Sequence, residues 1–283
     1  MKQPLVSVIV TTYNNQATLE ECLNSIMEQT YPDLELIIVD NYSTDETLDI
    51  ARRFTRKVYT KGPERCAQRN FAVQHAHGKY VMIVDSDMEL TPQVVEQSVD
   101  RMQSDENIKG VIIPEESFGE GFWAQCKRLE RSFYVGVDWI EAARFFERRT
   151  FNAIGGYNEA LVSGEDWDLS QRVGMLGSIA HIEALILHNE GRLKLLRTLK
   201  KKFYYAGQFQ TYTSTRAKQS ATHGSQPTNI VLRRFGLYFA QPVKLFKKPH
   251  HGIGMLFMKI SEFGFGALGY VVASRKRRRA EAA

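Results

Sequence analysis

Asp85 and Asp87 stand one residue apart at the end of the apolar run Tyr80–Val84. A strand that ends in Asp-x-Asp sets two carboxylates at the carboxyl edge of a sheet, the edge at which open α/β sheets bind ligands. Two hard oxygen donors there suit Mg²⁺ or Mn²⁺, and such an ion suits a diphosphate. Taken alone, so short a motif is also what a solvated acidic turn looks like. Two further apolar runs bear on the choice. Leu5–Val10 leads into Thr12 and Tyr13, and Leu34–Val39 leads into Asp40 and Asn41. Strand tips that each deliver polar side chains predict a single crevice where they converge.

The intervening segments carry helical patterns. Leu19, Cys22, Leu23, Ile26 and Met27 form one stripe within Ala17–Gln29. Ser43 and Glu46 have the spacing of a capping box, opening a helix through Phe54. A third helix is predicted over Glu64–Ala76, broken by Gly78, and Thr91 with Pro92 starts another that runs to about Met102. Strands with continuous rather than alternating apolar residues, separated by helices, imply a mostly parallel sheet covered on both faces. After Val111–Pro114 the pattern loosens. Gly119–Trp139 is aromatic-rich and reads as a mobile segment on the acceptor side. A helix opens at Gly164, with Glu165 and Asp166 in its first turn, where the helix dipole alone favours them. Ser178–Leu187 reads as a last strand that ends at His188.

A chain of 283 residues, 43% of them hydrophobic, can bury a full core. Cys22, Cys66 and Cys126 are scattered and odd in number, so neither a disulfide framework nor a zinc site is indicated, and a reducing compartment is expected. The strand-like run begins directly after Met1–Pro4, and no secretory leader is expected. The net charge of +5 conceals an asymmetry. From Gly191 onward there are 19 basic and 2 acidic residues, net +17, against 18 basic and 30 acidic before it, net −12. The acidic part reads as a catalytic body, the basic part as a surface for something anionic.

In the order Ser7–Asn14, Ile37–Asp45, Gln68–Asn70, Gly78–Asp87, Gly155–Glu159 and Gly164–Leu169 with Arg172, these residues closely resemble the family 2 glycosyltransferases of the GT-A fold, over about residues 5–190. The resemblance implies a Rossmann-like, mostly parallel α/β sheet and inverting transfer of a sugar from a nucleotide sugar. It places Thr12 and Tyr13 in the nucleotide pocket, Asp40 against a base that is commonly uracil, and Arg69 near the diphosphate. UDP-sugars are therefore the favoured donors, although Asn41 and Tyr42 stand where the family usually has aspartate and glycine. It assigns Asp87 to Mn²⁺ or Mg²⁺, Asp85 to the ribose or a metal-bound water, and His188 to a further metal ligand. Asp166 matches the base that deprotonates the acceptor, with Glu165 as the fallback. Trp167, Tyr157 and Arg144 fall on the acceptor side. The implied domains are 1–190, catalytic, with a nucleotide-sugar half (1–104) and an acceptor half (105–190), followed by a basic helical appendage over 191–283.

That appendage contains a basic amphipathic helix over Lys194–Lys202 and a glycine-rich apolar stretch, Gly252–Ala273, before Arg275–Arg279. The stretch is long enough to span a bilayer, but Lys259 and Glu262 oppose a simple span and can pair three residues apart. The expectation is helices lying against anionic lipid on the cytoplasmic face, with no nucleic-acid partner. The full reading is a metal-dependent transferase acting on a hydroxyl of a lipid-linked or growing glycan. Two alternatives stay open: a polyprenyl-phosphate sugar transferase of the same fold, and a non-catalytic module that binds nucleotide sugars.

Overall fold

The computed structural model describes residues 3–206 and 230–281. Its strands are β1 (Val6–Thr12), β2 (Leu34–Asp40), β3 (Val58–Thr60), β4 (Tyr80–Asp85), β5 (Met88–Leu90), β6 (Ile108–Ile112), β7 (Glu115–Glu120), β8 (Ala143–Glu147), β9 (Ser178–His181) and β10 (Ile186–Arg192). Its helices are α1 (Leu19–Met27), α2 (Thr47–Phe54), α3 (Arg65–Gln74), α4 (Val94–Ser104), α5 (Gly121–Ser132), α6 (Arg148–Ala153), α7 (Glu165–Gly174), α8 (195–206), α9 (Ile230–Phe239), α10 (Pro242–Phe246) and α11 (Pro249–Glu281). By compactness the chain forms two units. The first holds Met1–Glu116, Tyr134–Glu159 and Glu165–Asn189, and the second holds Ser117–Phe133, Ala160–Gly164 and Glu190–Ala283.

In the first unit the strand order is β3-β2-β1-β4-β8-β6-β9. β1 lies parallel to both β2 and β4, while β8 runs antiparallel between β4 and β6. Successive β1 residues feed opposite cores, as the pleat requires. Val6, Val8 and Val10 join α1, α2 and α4 on one face, whereas Ile9 joins Ile37, Ile83, Ala72 of α3 and Leu169 of α7 on the other. A sheet covered on both faces explains why these strands are apolar throughout. The register sets Thr11 of β1 opposite Asp85 of β4, and Thr12 opposite Asp40 of β2, so the tips share one edge.

Three local expectations need correction. Ser43 does not cap α2. Its N–H and Oγ both donate to the Asp40 carboxylate, a stronger acceptor, and the Thr47 N–H is met by Asp45 Oδ1 at 3.1 Å. The last strand is two strands. The Gln97 side-chain oxygen accepts from the N–H groups of Glu183 and Ala184 and turns the chain between β9 and β10. His188 therefore sits inside β10, paired opposite Met88 of β5, rather than past a strand end. Lastly, Gly119–Trp139 is not a loose segment, because α5 buries Ala124, Cys126 and Glu130.

The second unit is largely helical, with α11 packed along α5. Gly254 permits that approach, since a Cβ there would lie 2.5 Å from the Phe122 ring and 2.7 Å from Cys126 Sγ. Lys259 and Glu262 are both buried and do pair, at 2.6 Å. They are joined by α5: Lys259 Nζ reaches Glu130 Oε1 at 2.8 Å, and Lys127 Nζ reaches Glu130 Oε2 at 2.9 Å. Two cations and two anions thus pair in this interior, and desolvation together with the Lys127 charge lowers the ammonium of the neighbouring Lys202 to about 8. Burial alone would push the Glu130 carboxyl up, but Lys127 and Lys259 hold it well below the ordinary range.

Candidate active site

At the shared strand edge of the first unit lies a cleft of about 350 Å³, lined by Thr11, Thr12, Tyr13, Arg65, Gln68, Asp85, Asp87 and His188 among others. Tyr13 is exposed at its rim. A wider cleft of about 810 Å³ opens near Tyr80, Glu147 and Arg148, at the start of β4 and so at the opposite edge from the carboxylates. The smaller one gathers the Asp-x-Asp carboxylates singled out in the sequence.

The Asp-x-Asp carboxylates face different partners. Asp87 Oδ2 lies 3.1 Å from His188 Nε2. Asp85 turns to arginines, with Oδ1 2.7 Å from Arg69 and Oδ2 3.6 Å from Arg144. Burial by itself would raise the Asp85 carboxyl. Arg69 and Arg144 outweigh it and keep the group ionised well below the ordinary carboxylate range.

Arg69 is the centre of the site. It rises from α3, is 1% exposed, and bonds Asp85 through one terminal nitrogen and Asp166 through the other, at 3.0 Å. Glu165 lies 3.5 Å away, and the Tyr157 ring packs under the guanidinium at 4.9 Å. The Tyr157 hydroxyl donates to Asp166 Oδ1 at 3.1 Å. Burial, then Asp166, push the Tyr157 hydroxyl well above its usual range, so it remains a donor. Asn70 places this ring by pairing with both the N–H and the carbonyl of Tyr157. Gly156 is required beside it: φ is +65°, and a Cβ would sit 2.5 Å from Asn70 Oδ1.

Glu165 and Asp166 have different surroundings. The Glu165 side chain is 3% exposed and bound to Arg65 Nε at 2.5 Å, whereas Asp166 is 29% exposed. Burial and the Asp166 charge raise the Glu165 carboxyl. Both bonds to Asp166 fall on Oδ1, and among the described residues none falls on Oδ2.

The family model for glycosyl transferase family 2 matches residues 7–157, more than half of the chain. The chain belongs to glycosyl transferase family 2. Among curated relatives, the PGL/p-HBAD biosynthesis glycosyltransferase of Mycobacterium bovis is 31% identical over 184 residues, which cover 61% of this chain and 70% of that protein. The chondroitin synthase of Escherichia coli is 27% identical over 66% of this chain but only 29% of its own length. The chain spans less than a third of the length of that synthase and of the Pasteurella multocida chondroitin and hyaluronan synthases, where it covers 22%. Among solved structures, a mannosyltransferase from Pyrobaculum calidifontis, in complex with GDP-Man and Mn²⁺, aligns with a TM-score of 0.61 at 18% identity, over 95% of this chain and 88% of that one. Staphylococcus aureus TarS aligns with a TM-score of 0.53 at 17% identity, over 94% and 55%. The fold is GT-A, carried by a glycosyl transferase family 2 domain.

Several residues singled out in the sequence meet in this glycosyltransferase: Thr12, Tyr13, Asp85, Asp87 and His188 on the cleft, with Arg69, Tyr157, Asp166 and Glu165 joined to them through Asp85. Others lie apart from the cleft wall. Asp40 is fully buried and engaged by Ser43, and Asn41 Nδ2 donates to the Pro63 carbonyl at 2.7 Å. Tyr42, at the family's glycine position, holds φ +58°, the left-handed region that favours glycine. Trp167 is half-buried and spends its indole N–H on the Ile140 carbonyl at 2.9 Å. Arg144 is bound to Glu115 and faces Asp85, on the donor side. Two residues escaped the sequence reading. Gln68 donates to the Thr12 and Val39 carbonyls, tying two strand tips together, and Arg65 links the cleft to Glu165. Gln68 directly precedes Arg69 in the Gln68–Asn70 stretch, and Arg65 opens α3 about one turn earlier; that proximity to Arg69 was the available signal.

The carboxylate pair bears on a divalent ion. Neighbouring ligands around an octahedral ion with bonds of about 2.1 Å stand about 3 Å apart, which matches the 3.1 Å between Asp87 Oδ2 and His188 Nε2. Among the described residues no three His, Cys, Asp or Glu side chains gather around one point. Mg²⁺-type ions are usually held by one or two carboxylates completed by waters and substrate phosphate, and Asp87 is the carboxylate here that no arginine engages among the described residues.

Proposed function

We propose that this glycosyltransferase moves a sugar from a nucleoside-diphosphate sugar, UDP-linked in first preference, to a hydroxyl of a glycan or lipid-linked acceptor, with inversion at the anomeric carbon. The observation that carries the proposal is Arg69, whose one buried guanidinium joins the donor-edge carboxylate Asp85 to Asp166. Donor and acceptor groups are thereby held within one side chain's width.

In this reading Tyr13 stacks on the base at the cleft rim, Asp40 and Asn41 shape the loop behind it through Ser43 and Pro63, and Asp85 would receive the ribose or a metal-bound water. Asp87 and His188 would hold Mn²⁺ or Mg²⁺, which when bound would supply charge neutralisation for the departing diphosphate. Asp166 Oδ2 accepts the proton of the acceptor hydroxyl. The acceptor oxygen then forms its bond to the anomeric carbon as the bond to the diphosphate oxygen breaks, and the electron pair leaves with the diphosphate. Arg69 and Tyr157 keep Asp166 Oδ1 occupied, which fixes the orientation of the base. Glu165 is too buried to meet an acceptor and serves as the counter-charge of Arg65 and Arg69.

The test is incubation with a panel of nucleoside-diphosphate sugars and Mn²⁺, scoring diphosphate release. Turnover of one donor, abolished by chelation and restored by Mn²⁺, is expected. No binding or hydrolysis of any donor rejects the proposal. A phosphate acceptor needs no deprotonation, so an Asp166→Asn variant of undiminished rate would identify the polyprenyl-phosphate alternative.

A further inference from the structure

We infer that the outer face of α11, continued by α10, seats the protein on an anionic lipid bilayer. The inference rests on an inverted helix. Between Gly252 and Ala273, Lys259 and Glu262 are the only charged residues, and both point inward to Lys127 and Glu130 of α5. The outward side carries Ile253, Phe257, Ile260, Leu268 and Val271, all more than two-fifths exposed. Their spacing of three, four or a multiple keeps them on one stripe, about 27 Å long at 1.5 Å per residue. Val243 and Phe246 of α10 extend it, at 85% and 44% exposed. A helix facing water puts its charges outward; this one turns both inward, beside the buried Met255 and Met258, and shows hydrocarbon outward, so the solvent its outer face matches is hydrocarbon.

The flanking charges choose the occupant. Lys247 and Lys248 precede the stripe, and Arg275 follows it, all exposed. They belong to the region of net charge +17. A second copy laid on this face would bring cations against cations, whereas an anionic surface neutralises them. The same helix is long and apolar enough, by length and composition, to cross a membrane. Its inner side, however, is committed to the charged face of α5, which leaves a single lipid-compatible side and an in-plane seat.

Flotation of the full chain with vesicles tests this, comparing phosphatidylcholine alone with phosphatidylcholine containing phosphatidylglycerol, at low and high salt. Binding to the anionic vesicles, weakened by salt, is expected. Ile260→Glu lowers partitioning by at least about ten-fold, since it removes a buried aliphatic chain and adds a charge. Lys247→Glu and Lys248→Glu each cost about five-fold or more. Both sets of changes lie on exposed positions, and circular dichroism checks that the helices persist. Because Cys22, Cys66 and Cys126 are buried, an Ile260→Cys variant can be labelled selectively, and brominated acyl chains should quench the label. Absence of binding to either vesicle overturns the inference. So does binding that Ile260→Glu leaves undiminished with the label unquenched, which would mean charge attraction alone. A concentration-dependent dimer that Ile260→Glu dissolves, without vesicle binding, assigns the face to a second copy and equally overturns it.

Discussion

The two compact units handle charge in opposite ways. The first buries apolar strands and gathers its working charges at a sheet edge, where Asp85, Asp87 and Asp166 remain partly open to solvent. The second buries Glu130, Lys259 and Glu262 beside the partly buried Lys127 and turns Ile253, Ile260 and Leu268 outward. In the first, on the proposed reading, charge serves binding and chemistry. In the second, it is internal bracing, and the surface is apolar. Ionised groups need compensation wherever water is withdrawn, and the partners supplied reveal the purpose: arginine against carboxylates that must stay negative, or matched pairs that cancel.

The sharpest break in that comparison is expected at Asp166. Asp166→Asn should lower turnover by about 10²–10⁴-fold while leaving donor KM unchanged, because only the proton acceptor is lost. Steady-state rates with the identified donor and a hydroxyl acceptor check it. Next comes the bracing. Lys259→Met leaves Glu130 and Glu262 short of a cation and should cost about 3–5 kcal/mol, seen as a fall in Tm of roughly 10 °C. Lys259→Met combined with Glu262→Leu leaves Lys127 paired with Glu130 and should recover most of that loss. Failure to recover would mean that the quartet acts as one network.

A smaller effect tests the first unit away from its cleft. Glu35, though its burial favours the neutral form, is held at about 2 by Lys57, Ser7 and the N–H groups of His77 and Gly78. The folded value lies below the unfolded one of about 4.3. Its contribution is therefore complete above pH 4.3 and drains away as pH falls toward 2. About 2–3 kcal/mol should be lost over that window in wild type but not in Glu35→Gln, by denaturant titration. The smallest expected change is at His188. His188→Ala should weaken the apparent Mn²⁺ affinity of turnover by about 10–100-fold, with saturating Mn²⁺ restoring the rate.

Much of the first unit is legible in the chain. β1, β2 and β4 are central strands, so their continuous apolar runs and polar ends announce both the sheet and its active edge. β3 and β5 are short, and three residues hold no period. The break between β9 and β10 depends on Gln97, far away in sequence, and no local signal reports it. Asp166 was readable from its motif. Its separation from Glu165 in exposure was not, because adjacent residues on a first helical turn differ only through what packs against them. Arg69 reads equally as a solvent-facing helix arginine until α7 is brought over it. The second unit is the harder one: the pairing of Lys259 with Glu262 follows from spacing, but the direction in which they point requires α5, which the aromatic-rich stretch around Trp123 disguises.

Arg69 has one more implication. Because the same guanidinium grips both Asp85 and Asp166, the free-energy effects of removing those two carboxylates should not sum. Any survey of substitutions that scores donor recognition and acceptor activation as separate columns will find them entangled at this residue.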